Sequence, residues 1–310
     1  MAFGALAIGW TLSLLPDLYQ LFGPHGVVPQ QPGAFGWGVF AIWNSDRAVL
    51  IGWAVLLVCS VVLTVGWHSR LAALGIFVLI ISFEHRNPWV WNSGDVALRI
   101  EALILALSPC GAALSLDQRR SDGTFWSAQQ RPQWPVRLMQ LQMSLIYLAS
   151  VLSKLNGGAW PQGTAVSYAL RLEDMQLLPT PHWFTNSALL MNAASWAILA
   201  VELSLAILVW NSRLRPWVLA AGVVMHTLIM ISITVGFFTL AMFVLYLAFV
   251  PPETVQRLPG SAKRLATKRV CVLRRRRPNI RNRSVSTETE HGGVVVKGGA
   301  CSSTEAPDHR

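Results

Sequence analysis

Charge is what this sequence has least of. Only 13% of its 310 residues are Asp, Glu, Lys or Arg, 53% are hydrophobic, and the mean hydropathy is +0.44. A soluble domain carries about 25% charged residues. Polar faces at helical spacing are missing as well, which excludes a water-soluble helical fold. Cysteine is scarce: Cys59 and Cys110 fall in apolar runs, Cys271 and Cys301 near the C-terminus. No CxxC and no Cys/His ligand spacing occurs, so neither a disulfide framework nor a metal site is expected. The N-terminus has no basic n-region and no A-x-A cleavage site, so no signal peptide is expected.

Long apolar runs take the place of charge. A helix needs roughly 20 apolar residues to cross about 30 Å of hydrocarbon. Eight stretches are candidates: 2–15, 47–66, 70–84, 95–114, 136–154, 187–209, 215–233 and 235–251, the first and third of them short. The last two share the run Trp217 to Val250, which is too long for one helix, and Gly236 is the expected break. The expected fold is all-α: a polytopic integral membrane helical bundle of about eight transmembrane helices over residues 1–251. A disordered basic tail is expected over 252–310, because its 13 Lys and Arg residues and Ser/Thr/Gly-rich end leave little apolar surface to bury. A basic segment beside a membrane helix attracts anionic headgroups, so membrane lipids are expected partners and nucleic acid is not.

Arginine distribution gives an orientation. With eight spans, Arg70, Arg119, Arg120, Arg131, Arg137, Arg213 and Arg215 share a side with the tail. Arg47, Arg86, Arg99, Arg171 and Lys154 lie on the other. The positive-inside rule then makes the C-terminus cytoplasmic in a multi-pass protein, with the cell membrane the expected location.

The sparsely charged outward side gathers its charges at helix ends. Glu84-His85-Arg86-Asn87 closes the third span, and Asp95 opens the fourth. A carboxylate in a first helical turn interacts well with the helix dipole. Arg99 at i+4 allows an ion pair with Asp95, which serves either as a structural clamp or as part of a site. Glu101 lies one turn deeper on a different face, and His85 reads equally as an interfacial histidine. In the fifth span Gln140, Ser144, Tyr147, Val151 and Lys154 follow a 4-3-4-3 spacing. A stripe with four polar members faces the bundle or a cavity rather than lipid. Lys154 at its outer end either snorkels to the headgroups or is buried among helices, where an amine can act as a base. Glu202 and His226 lie mid-span; Glu202 needs a partner or a proton, and His226 reads most simply as a core histidine bridging helices.

Two motifs carry a resemblance. His85-Arg86-Asn87-Pro88-Trp89-Val90-Trp91-Asn92-Ser93-Gly94-Asp95, then Arg99, Pro109 and Ser115-Leu116-Asp117, form the first. Tyr147 through Lys154-Leu155-Asn156, Trp160 and Gly163 form the second. Together with Asp17, Gly23-Pro24-His25-Gly26 and His226, they resemble the bacterial HTTM (horizontally transferred transmembrane) family over roughly residues 5–250. That domain is the membrane portion of vitamin K-dependent gamma-carboxylase, where a lysine before a leucine is the proposed base that deprotonates vitamin K hydroquinone. Oxygen then adds, and the resulting alkoxide removes a γ-proton from a protein glutamate so that CO2 can add. The resemblance implies Lys154 as the base, with His85, Asp95 and Arg99 positioning it or stabilising an oxyanion. It implies a reduced isoprenoid quinone as cofactor, held by Tyr147, Trp89, Trp91, Trp160, Glu202 and His226, and a peptide or protein substrate. Two departures stand against a full carboxylase. Ser153 occupies the place of a first lysine, and a short basic tail replaces a large lumenal domain. The expectation is therefore a quinone-dependent, carboxylase-like membrane enzyme. The alternative is a non-catalytic membrane protein that binds lipid, quinone or a partner, its polar cluster serving structure. A transporter ranks lower, since no inverted repeat of broken helices is evident.

Overall fold

Proline and glycine decide where the helices stop. The computed structural model describes residues 1–27, 38–123, 125 and 131–251, and the basic tail expected over 252–310 lies outside them. Eight helices of nine residues or more form among the described residues, one at each apolar run. They are α1 (Ala2–Ser13), α2 (Asp46–Val65), α3 (Ser69–Arg86), α4 (Ser93–Leu107), α5 (Trp134–Leu155), α6 (Ala188–Ile207), α7 (Arg215–Ser232) and α8 (Phe238–Tyr246). The fourth run ends early: Ser108 is extended at φ −92°, ψ 160°, because it precedes Pro109. Asn87 ends α3 in the same way before Pro88. Gly236, at φ +59°, lies in the turn between α7 and α8, the break expected from sequence.

Loop contacts fix the direction of each helix. At one end, Arg86 Nη2 donates to the Gly23 carbonyl at 2.5 Å and Asn87 Nδ2 to the Leu21 carbonyl at 2.9 Å. At that end also, Leu177 N donates to Ser232 O, and Thr234 N to Met175 O. These contacts tie the loop after α1 to that after α3, and the loop after α5 to that after α7. At the other end the Asp117 carboxylate accepts from the backbone N–H of His68 and Ser69, Arg70 reaches the Ser108 carbonyl, and Gln140 reaches the Ala248 carbonyl. The helices therefore alternate in direction. Burial acts to raise the Asp117 carboxyl, but the Ser69 and His68 N–H groups and the Ser69 hydroxyl outweigh it and hold the group below the usual carboxylate value.

The outer faces of the bundle are apolar. Along α2, Ile51, Val55, Val58 and Val65 are exposed; along α5, Leu141, Leu145, Leu148 and Leu152 are. Both stripes keep helical spacing. A helix at a water-facing surface puts polar residues there, so these faces are built for hydrocarbon. By length and composition α2, α5, α7 and α6 continued to Trp210 are each able to cross a membrane. The remaining four are shorter or, in α3, carry Arg70, Glu84 and Arg86. Inside, α1 to α4 pack around Ile76, Ile80 and Leu98, while α5 to α8 pack around Met143, Leu205 and Met242. Ala241 of α8 belongs to the first core, Met242 and Leu245 to the second. The start of α8 is thus the natural junction for polar groups from both halves.

Candidate functional site

The polar stripe of α5 faces the bundle. Gln140 Nε2 donates to the Ala248 carbonyl at 2.7 Å, and Ser144 Oγ accepts from Trp210 Nε1 at 2.9 Å. Tyr147 is 1% exposed. Its hydroxyl meets His226 Nε2 at 2.7 Å and the Tyr246 hydroxyl at 2.5 Å, so one phenol joins α5, α7 and α8. Gly222, one turn before His226, leaves room for this arrangement. A Cβ there would stand 2.5 Å from the Tyr246 hydroxyl and 3.0 Å from both Leu205 methyl groups.

At the outer end of the stripe, Lys154 Nζ forms an ion pair with Glu202 Oε1 of α6. Ser150, one turn down α5, donates its hydroxyl to Glu202 Oε2 at 3.2 Å. The ammonium also lies 4.6 Å from the centre of the Trp160 ring, in a cation–π contact. The Lys154 side chain keeps 22% of its surface exposed and Glu202 keeps 8%. The 163–166 segment packs on the outer end of α6: Ser195 Oγ donates to the Gly163 carbonyl at 3.1 Å and accepts from Val166 N at 3.2 Å. This packing fixes the segment that carries Trp160 above the pair. Lys154 is half-buried and turned inward to Glu202 across α5 and α6.

A second polar group gathers around α1, α3 and α4. The pair expected between Asp95 and Arg99 is corrected here: Arg99 pairs with Glu84 of α3. Asp95 instead folds back over its own helix start, where Oδ2 accepts the Asn92 N–H at 2.8 Å in a capping box. Its Oδ1 accepts Trp10 Nε1–H at 2.6 Å. Asp95, Glu84, Trp10 and Trp91 line a cavity of about 200 Å³, with Phe22, Phe83 and Phe237 among its apolar walls. Ligand pockets usually span about 300–1,000 Å³, so this one accommodates a small group only. Glu84 Oε1 is buried and accepts no hydrogen bond.

Nine of the ten residues named from sequence fall into two sets. Lys154, Glu202 and Trp160 form the outer part of one, with Tyr147 and His226 below them. Asp95, Arg99 and Trp91 belong to the other, with half-buried His85 beside Glu84 on α3. Trp89 is 83% exposed at the surface. The start of α8 stands between the sets: Phe237 walls the cavity, while the Phe238 ring lies 5.7 Å from that of His226. Sequence reasoning assigned no role to Glu84, Trp10 or Tyr246. Glu84 closes the third span immediately before the first motif, but nothing in a linear spacing points it at a residue 15 positions away. Glu101 is fully buried, and neither carboxyl oxygen has a partner.

An all-helical bundle with lipid-suited outer faces and ionisable pairs inside defines an integral membrane protein. The model of the HTTM domain family matches residues 33–253, and the chain belongs to that family. The same domain is found in vitamin K-dependent gamma-carboxylase. No curated protein and no solved structure matches the chain.

Proposed function

We propose that this protein is a multi-pass HTTM-family membrane enzyme that oxidises a reduced isoprenoid quinone, with Lys154 as the proton acceptor. All eight helices cross the bilayer, the loops after α1, α3, α5 and α7 face outward, and the C-terminus is cytoplasmic. The observation that carries the reading is the amine itself: Lys154 is held against Glu202 under the Trp160 ring, at the end of the bundle that this orientation turns outward. Glu202, in contact with the amine, receives the ammonium proton. The neutral amine then takes the hydroquinone proton. Oxygen is the oxidant: the quinol is oxidised to an epoxide that keeps one oxygen atom, and the other leaves as water. Coupling to carboxylation of a peptide or protein substrate follows the family resemblance, with Trp160 as a wall for the ring.

The experiment is oxygen-dependent epoxidation of added hydroquinone by the purified protein in lipid. The unmodified chain forms epoxide, and Lys154→Ala does not. Absence of epoxide from the unmodified chain, under conditions in which a carboxylase works, overturns the reading. One observation favours a second reading. Both Glu202 oxygens are engaged, with Lys154 on one and Ser150 on the other, as a clamp between α5 and α6 requires. In that case the protein binds lipid, quinone or a partner without turnover.

A further inference from the structure

The cavity between α1, α3, α4 and α8 offers buried hydrogen-bonding capacity of one kind. Its buried donors are committed: Trp10 Nε1–H and the Asn92 N–H both go to Asp95. Its buried acceptors are not. Glu84, whose side chain is 2% exposed, uses Oε2 on Arg99 and leaves Oε1 without a partner. Each Asp95 oxygen accepts one hydrogen bond and has lone-pair capacity for another. The charges are uneven too. Arg99 neutralises Glu84, whereas among the described residues Asp95 is met only by uncharged N–H donors. Arg86, two residues after Glu84, does not line the cavity: its Nη2 goes to the Gly23 carbonyl, and its Nε and Nη1 are buried without partners among the described residues. The floor is aromatic, with Trp10, Phe22 and Phe83 each no more than 5% exposed, and the mouth opens beside Val90 and Trp91, each 41% exposed.

We propose that this cavity binds a primary ammonium group carried on a small apolar body. The ammonium N–H groups satisfy Glu84 Oε1 and the second lone pairs of Asp95, and the aromatic walls receive the body and favour the positive charge. A carboxylate ligand would meet two acids, and a plain hydrocarbon would leave Glu84 Oε1 unsatisfied. Two sources carry this chemistry at a membrane face: the headgroup of an aminophospholipid and a water-soluble amine.

The test is isothermal titration of the full chain in phosphatidylcholine nanodiscs, whose quaternary headgroup has no N–H. The probes are 2-phenylethylamine, the neutral 2-phenylethanol and the anionic phenylacetate. The amine binds at least about tenfold tighter than the alcohol, by the gain from a charge-assisted hydrogen bond, and the acid does not bind. No binding of the amine, or an alcohol that binds as tightly, overturns the proposal. Glu84→Gln weakens the amine about ten- to hundredfold. Since that change also unpairs Arg99, Ser13→Phe on the exposed lip supplies a variant that fills the cavity without touching the ion pair. A well-folded Ser13→Phe protein that binds the amine as the parent does overturns the proposal. Replacing part of the phosphatidylcholine by phosphatidylethanolamine identifies the source. A raised apparent Kd assigns the lipid headgroup, and an unchanged one assigns the soluble amine.

Discussion

Removing the lysine from the Lys154–Glu202 pair has a cost that can be worked out from its surroundings. Lys154→Met leaves the Glu202 carboxylate, on a side chain 8% exposed, with only the Ser150 hydroxyl. Breaking a buried pair from one side costs about 3–5 kcal/mol. Lys154 keeps 22% of its side chain exposed, so solvent screens part of the attraction and the low end, about 3 kcal/mol, applies. Glu202→Gln costs less, about 1–2 kcal/mol, because the ammonium retains Trp160 and can turn toward water. Removing both charges, as Lys154→Met with Glu202→Leu, returns to within about 1 kcal/mol of the parent, since a packed apolar pair replaces an ion pair at little cost. For a domain of this size about 1 kcal/mol moves Tm by about 2–4 °C, so the lysine variant melts about 6–12 °C below the parent. Thermal unfolding in mild detergent, followed by the loss of monodisperse protein, measures all four proteins, and a Glu202→Leu single variant closes the cycle that gives the coupling. A Lys154→Met protein as stable as the parent, or a double variant worse than either single one, refutes the pairing.

Three further predictions rest on other parts of the bundle. Gly222→Ala puts a methyl group 2.5 Å from the Tyr246 hydroxyl and destabilises by about 1–3 kcal/mol; adding Tyr246→Phe recovers part of that loss, read from the same melting curves. Glu101→Leu is neutral or stabilising by about 1 kcal/mol, because it removes two buried oxygens without partners; a loss above about 2 kcal/mol refutes this. The Asp117 carboxyl sits lower in the folded chain than in the unfolded one, so its contribution is present above the unfolded value and is lost as pH falls through the folded value. Asp117→Asn therefore lowers stability at neutral pH and flattens the decline below about pH 4, measured as Tm against pH.

The helices were legible because their cause is local. Each apolar run became a helix, and Gly236 marks the expected break; the fourth run was expected to reach 114, past Pro109, and stops at Leu107. The α5 stripe was legible for the same reason, since a 4-3-4-3 spacing survives folding as one face. The partners across the bundle were not. Trp10 and Asp95 are 85 residues apart, Tyr147 and Tyr246 are 99, and Lys154 and Glu202 are 48. Only the packing of whole helices decides which of them meet. The Asp95–Arg99 expectation failed on a local competition. At a helix start the side chain of Asp95 bonds the Asn92 N–H behind it, so it turns away from the residue one turn ahead. Arg99 was then left to the acid that α3 presents, Glu84.

The most direct test of Lys154 as a base uses the variant in which loss of activity cannot be blamed on loss of fold. Oxygen-dependent epoxide formation is measured for the Lys154→Met, Glu202→Leu double variant beside the parent, both in lipid and both verified as folded. The account predicts a stable double variant that forms no epoxide while the parent does. A folded double variant that still turns over hydroquinone contradicts it.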